Sequence, residues 1–173
     1  MSNYKEKLPA ITTFIFDYDG VMTDGTVYPS VDGELMRAAN VKDGYALQLA
    51  VKKGYRIAII SGGLSKTMEK RMEGLNITDV YLGVKNKKEV FDEFMKKYQL
   101  RIEEVLYMGD DIPDYHLLKI AGVSCCPSDA AEEILEIVDY VSHKPGGKGA
   151  VRDVLRQVMK LQGKWLDKES FHW

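Results

Sequence analysis

The chain has 173 residues, with 26 acidic and 24 basic side chains and a net charge of −2. With 45% hydrophobic and 29% charged residues it has the make-up of a folded globular chain and not of a disordered one. The balanced charge offers no general field for nucleic acid, no apolar run approaches the ~20 residues of a membrane span, and the first residues lack a signal-peptide core, so the cytoplasm is the expected compartment.

In chain order, residues 11–19 read as a buried strand ending in acids, and 26–41 as a hairpin turning at Asp32-Gly33. Asp43 is placed to cap a helix over 44–53. A strand over 55–60, a helix over 64–75 and a strand over 79–83 follow. The helix over 86–98 puts Val90, Phe91, Phe94 and Met95 on one face. Next come a strand over 104–109, a helix near 112–119 and a strand over 122–126 that ends in Cys125-Cys126. Adjacent cysteines fit neither a disulfide framework nor zinc spacing and read as small buried residues. A helical segment over 129–136, a strand over 140–143 and a helix over 149–161 close the chain.

This alternation, with near-continuous apolar strands, predicts an α/β fold: a Rossmann-like doubly wound parallel sheet in a single domain over 1–173. Ligands in such sheets bind beyond the carboxyl ends of the strands, and the unusual residues collect there. Asp17-Tyr18-Asp19-Gly20 ends the first strand, and its two carboxylates repel unless a cation or a proton intervenes. Ser61-Gly62-Gly63 ends the second long strand and suits an anion-binding turn, or a plain helix cap. Lys87 opens a helix, where the macrodipole disfavours a cation. Gly109-Asp110-Asp111-Ile112-Pro113-Asp114 sets three acids within five positions, as an oxygen site for Mg²⁺ would.

In this order, these four stretches resemble the motifs of the haloacid dehalogenase superfamily of phosphotransferases. FDYDGVMTDGTVY, NVKDGYALQLA, YLGVKNK and GGKGAVRDV further resemble its capless subfamily, the 3-deoxy-D-manno-octulosonate 8-phosphate phosphatases, over about residues 10–163. The resemblance implies Asp17 as nucleophile, through an aspartyl-phosphate, and Asp19 as general acid and then base. It implies Mg²⁺ held by Asp17, the Asp19 carbonyl and Asp110, with Asp111 and Asp114 orienting metal waters and Lys87. Ser61 and Lys87 would contact the phosphoryl group, with Gly62 beside them, and Arg71 would bind the sugar-acid carboxylate. Lys148 and Arg152 would line a tail region near a site.

About 24 residues separate Gly20 from the first long helix, room for a protruding hairpin and not for a cap domain. The subfamily implies a homotetramer in which neighbouring hairpins and tails cover each site, and a role in lipopolysaccharide precursor synthesis. One departure is Gly63, where many octulosonate phosphatases carry arginine. It keeps open a phosphatase of a nine-carbon ulosonate 9-phosphate. A non-catalytic binding subunit of the same fold would have lost Asp17, Asp19, Lys87 or Asp110, and a response receiver would carry its phosphorylated acid on a middle strand.

Overall fold

The computed structural model describes residues 3–172. Its strands are β1 (Thr13–Phe16), β2 (Tyr28–Pro29), β3 (Leu35–Met36), β4 (Arg56–Ile60), β5 (Asp79–Tyr81), β6 (Val105–Met108), β7 (Val123–Cys126) and β8 (Tyr140–Val141). Its helices are α1 (Val41–Lys52), α2 (Lys66–Glu73), α3 (Lys87–Tyr98), α4 (Tyr115–Ile120), α5 (Glu132–Leu135) and α6 (Ala150–Leu161). Six strands form one parallel sheet in the order β5-β4-β1-β6-β7-β8. β2 and β3 pair apart from it as an antiparallel hairpin.

The apolar strands are buried because both sheet faces are covered. Phe14 and Phe16 point into a core shared with Leu47 of α1, Met68 and Met72 of α2, and Leu155 of α6. The intervening Ile15 joins Phe91 and Phe94 of α3 and Leu117 and Leu118 of α4 on the other face. This two-residue alternation splits Cys125 from Cys126 as well. Both are buried free thiols, and burial pushes each above the usual thiol range.

Local differences from the sequence reading have local causes. Helix α1 begins at Val41 because Asn40 is its cap, accepting from the N–H groups of Lys42 and Asp43. Asp43 is buried, and its carboxylate instead accepts from the N–H groups of Gly149 (3.2 Å) and Arg152 (2.8 Å) at the start of α6. The expected cap of one helix therefore satisfies another, about 100 residues downstream, because the two helices pack side by side on the sheet. Residues 112–119 divide into a 3-10 turn (Ile112–Asp114), with proline in its first turn, and then α4. No helix among the described residues is long and apolar enough to cross a membrane.

Removing the Asp43 carboxylate leaves two donors at the α6 N-terminus without partners. Asp43→Ala is expected to lower unfolding stability by about 1–2 kcal/mol, seen as a reduced urea midpoint with an unchanged slope.

Candidate active site

The chain leaves β1 toward β4 and β5 on one side, then returns to β6 and continues to β7 and β8 on the other. The crevice at that reversal is where α/β sheets bind ligands. A cleft of about 560 Å³ opens there, lined among others by Asp17, Asp19, Ser61, Gly62, Lys87 and Asp110. Asp111 and Asp114 also border it. Four stretches distant in sequence thus meet at adjacent strand ends.

Asp17 continues β1, and its N–H donates to the Met108 carbonyl of β6. The residue is 7% exposed. Lys87, the first residue of α3, reaches across with its Nζ 3.0 Å from Asp17 Oδ1 and 2.7 Å from Asp114 Oδ1. The dipole cost of a cation at this helix start is offset by these two carboxylates, which hold the ammonium above its usual range although burial pulls the other way. Asp114 is fixed in turn by the Tyr107 hydroxyl, which donates to it at 2.6 Å, and by the Asp110 N–H at 3.3 Å. Asp114 holds the Lys87 ammonium in place. Asp111 is exposed at the cleft's edge, and one of its oxygens accepts from Ile112 N–H at 2.8 Å.

The site fits a hard cation. Asp17, Asp110 and Asp114 each place an oxygen within 4.8 Å of the others. Asp17 Oδ1 is paired with the Lys87 ammonium, whereas Asp110 Oδ1 is buried and accepts no hydrogen bond from the described residues. Gly20 leaves the space this needs: it turns at φ +83°, and a Cβ there would lie 1.9 Å from Asp110 Oδ2. Burial first, and the Asp114 charge second, push Asp17 up to about 6. Burial, then the Asp17 and Asp114 charges, push Asp110 up to about 8. Such carboxylates lack positive charge, and oxygen-rich clusters of this kind suit Mg²⁺.

Ser61, at the end of β4, is buried and its Oγ accepts from Gly63 N–H at 3.1 Å, leaving the hydroxyl proton for an anion. Lys88, on the solvated side of α3, pairs with Asp92.

Three expected residues lie elsewhere. Arg71 does not line this cleft; it packs over Gly44 in a separate depression with Tyr18, Asn40 and Asp43. Arg152 faces the rings of Tyr45 and Trp165, 5.6 and 5.1 Å from their centroids, and Lys148 lies 3.5 Å from Asp24. Gly146 is nonetheless part of the site's frame, since a Cβ there would lie 1.9 Å from the Gly20 carbonyl.

Three residues were not read from the sequence. Arg37, just past β3, grips Asp19 with Nε to Oδ1 and Nη2 to Oδ2, both at 2.8 Å. Thr23 Oγ1 approaches Asp19 Oδ1 at 3.5 Å and accepts from Gly25 N–H. Glu34 accepts from the hydroxyl of Ser65, the α2 cap, and so holds the hairpin down. The hairpin's strands carry no chemical motif; only its location above Asp19 gives Arg37 and Glu34 meaning.

The raised carboxylates carry a pH signature. Asp17 and Asp110 bind more protons folded than unfolded, so their contribution falls as pH rises from about 4 to about 8. A divalent cation competes with those protons. The rise in Tm on adding Mg²⁺ to EDTA-treated protein is therefore expected to grow from about pH 5 to about pH 8.5 by calorimetry; a rise that shrinks with pH contradicts the assignment of these acids.

A family model described as haloacid dehalogenase-like hydrolase matches residues 64–155. The 3-deoxy-D-manno-octulosonate 8-phosphate phosphatase KdsC of Salmonella typhi is 37% identical over 158 residues, covering 91% of this chain and 84% of that protein. The crystal structure of the Yersinia pestis 3-deoxy-D-manno-octulosonate 8-phosphate phosphatase aligns with a TM-score of 0.91 at 34% identity, over 94% of this chain and 88% of that one. The Moraxella catarrhalis phosphatase of the same name, crystallised with magnesium, phosphate and KDO, aligns with a TM-score of 0.90 at 31% identity, over 94% of each chain. The chain belongs to the haloacid dehalogenase-like hydrolases, in the capless group of the 3-deoxy-D-manno-octulosonate 8-phosphate phosphatases.

Proposed function

We propose that this chain is a Mg²⁺-dependent phosphatase that hydrolyses 3-deoxy-D-manno-octulosonate 8-phosphate to the free sugar acid and phosphate. The observation that carries the reading is the buried Asp17 carboxylate at the end of β1, paired with the Lys87 ammonium at 3.0 Å and grouped with Asp110, whose buried Oδ1 has no partner among the described residues. The names of the Salmonella, Yersinia and Moraxella relatives, and the magnesium, phosphate and KDO of the last, support the substrate and the metal.

In this reading Asp17, Asp110 and the Asp19 backbone carbonyl hold Mg²⁺. Bound there, the metal supplies the positive charge that lets a carboxylate and a phosphate approach. A carboxylate oxygen of Asp17 attacks phosphorus as the bond to the sugar oxygen breaks. Asp19, as general acid, supplies the proton to that oxygen. A water then attacks the aspartyl-phosphate, Asp19 takes its proton, and phosphate leaves with Asp17 regenerated. Lys87 holds Asp17 and balances charge on the phosphoryl oxygens, while the Ser61 hydroxyl donates to one of them, with the Gly62 backbone alongside. Asp114 and Tyr107 keep Lys87 in place.

The same reading assigns the hairpin over 26–41 to assembly. Tyr28, Val31, Leu35 and Met36 are exposed on a two-stranded ribbon that has little support of its own. In a homotetramer, neighbouring hairpins would cover the open side of each cleft. A monomer of full activity by light scattering and assay contradicts this.

Asp17→Asn is expected to lower kcat by more than about 10³-fold, and Asp19→Asn by about 10²–10⁴-fold, in phosphate-release assays with Mg²⁺. A panel of esters tests the substrate: the eight-carbon acid phosphate should show the highest kcat/KM, ahead of the nine-carbon ulosonate 9-phosphate and hexose phosphates. Equal values for hexose phosphates overturn the sugar-acid reading.

A further inference from the structure

Arg37 holds Asp19 by the two-point fork that guanidinium uses for any carboxylate, with both contacts at 2.8 Å. Its side chain is 5% exposed, whereas that of Asp19 is 31% exposed. The third nitrogen, Nη1, donates to the Leu35 carbonyl within the hairpin. Glu34 ties that hairpin to Ser65 at the start of α2. The guanidinium is therefore anchored from behind, and the carboxylate in front of it is the exchangeable partner.

Gly63 is shaped around this pair. A Cβ there would lie 2.7 Å from Asp19 Oδ2 and 3.0 Å from Arg37 Nη2. The absent side chain at this strand end is the space in which the fork sits. Among the described residues, Arg37 is the one guanidinium in hydrogen-bond contact with a side chain lining the cleft. The cleft's lysines are point charges, and Lys87 is committed to Asp17 and Asp114.

Such a grip conflicts with turnover. With both oxygens held by one guanidinium, the Asp19 carboxylate is turned toward Arg37 and is not free to reach the leaving oxygen. The pair must part in every cycle, and parting strands a nearly buried guanidinium without a partner. An incoming carboxylate removes that obstacle.

Building on the sugar-acid reading above, we propose that Arg37 is the receptor for the substrate carboxylate, which replaces Asp19 in the fork and frees Asp19 for proton transfer. Selectivity for acid sugars then appears in kcat as well as in KM. A phosphate ester without a carboxylate has to open the pair unaided and turns over slowly, however well its phosphate is bound.

The test compares octulosonate 8-phosphate with p-nitrophenyl phosphate at saturating Mg²⁺, in wild type, Arg37→Ala, Arg37→Lys and Gly63→Ala. In Arg37→Ala, kcat/KM for the acid should fall on the order of 10²-fold, while kcat for the aryl phosphate rises because nothing holds Asp19. Arg37→Lys should recover part of the loss on the acid. Gly63→Ala, whose Cβ presses on Asp19 and Arg37 and touches Ser61 Oγ at 3.4 Å, should move the ratio of the two substrates in the same direction as Arg37→Ala. An equal loss on both substrates in Arg37→Ala means that Arg37 only positions Asp19 and overturns the proposal, as does an unchanged ratio. Wild-type enzyme that turns over hexose phosphates as fast as the acid refutes the sugar-acid reading itself, a result read before any variant is made.

Discussion

The structure depends on the repulsion among three carboxylates packed at the ends of β1 and β6. Asp17, Asp110 and Asp114 come within 4.8 Å of one another, and Lys87 is the one ammonium paired with two of them. If all are ionised, two negative charges remain unbalanced in a site partly closed to water. Such an arrangement survives in a folded chain only if a proton or a cation completes it. Burial lifts Asp17 and Asp110 toward the protonated form, and Asp110 Oδ1, buried without a partner among the described residues, leaves the cluster short of positive charge.

Much of the surrounding structure maintains that tension. Tyr107 fixes Asp114, Asp114 fixes Lys87, and Lys87 sits at a helix start that would otherwise disfavour it. Gly20 and Gly146 interlock with spacing that tolerates no Cβ, which presses the loop after β1 against the turn before α6. Stability and chemistry draw on the same contacts here. Asp43 extends the pattern by joining the entry of α1 to the N-terminus of α6, the two helices that cover the same face behind the site.

The hairpin adds a second, separate charge arrangement. At the mouth of the cleft this chain supplies two short strands whose apolar side chains face solvent. Arg37 and Glu34 turn the other way, toward Asp19 and Ser65. One ribbon thus presents an apolar surface outward and a fork inward.

Parallel strands buried on both faces write their presence into continuous apolar runs, and the motif acids sit immediately after those runs. For that reason the α/β class, the strand-end location of Asp17, Asp19, Ser61, Lys87 and Asp110, and the Mg²⁺ chemistry were legible in the chain of amino acids, sharpened by the family resemblance. Arg71 and Arg37 show the boundary. Both are arginines in polar company, and local spacing does not say which of them faces the cleft. That was decided by packing: α2 lays Arg71 over Gly44, while the hairpin folds back across Gly63 and brings Arg37 onto Asp19. Asp43 was misassigned for the same reason, since the donors it serves are about 100 residues away. The sequence by itself determined which groups can do the chemistry, because that depends on residue type beside a strand end. Only the tertiary structure decided their partners, because a carboxylate or a guanidinium bonds to whatever the fold brings within about 3 Å.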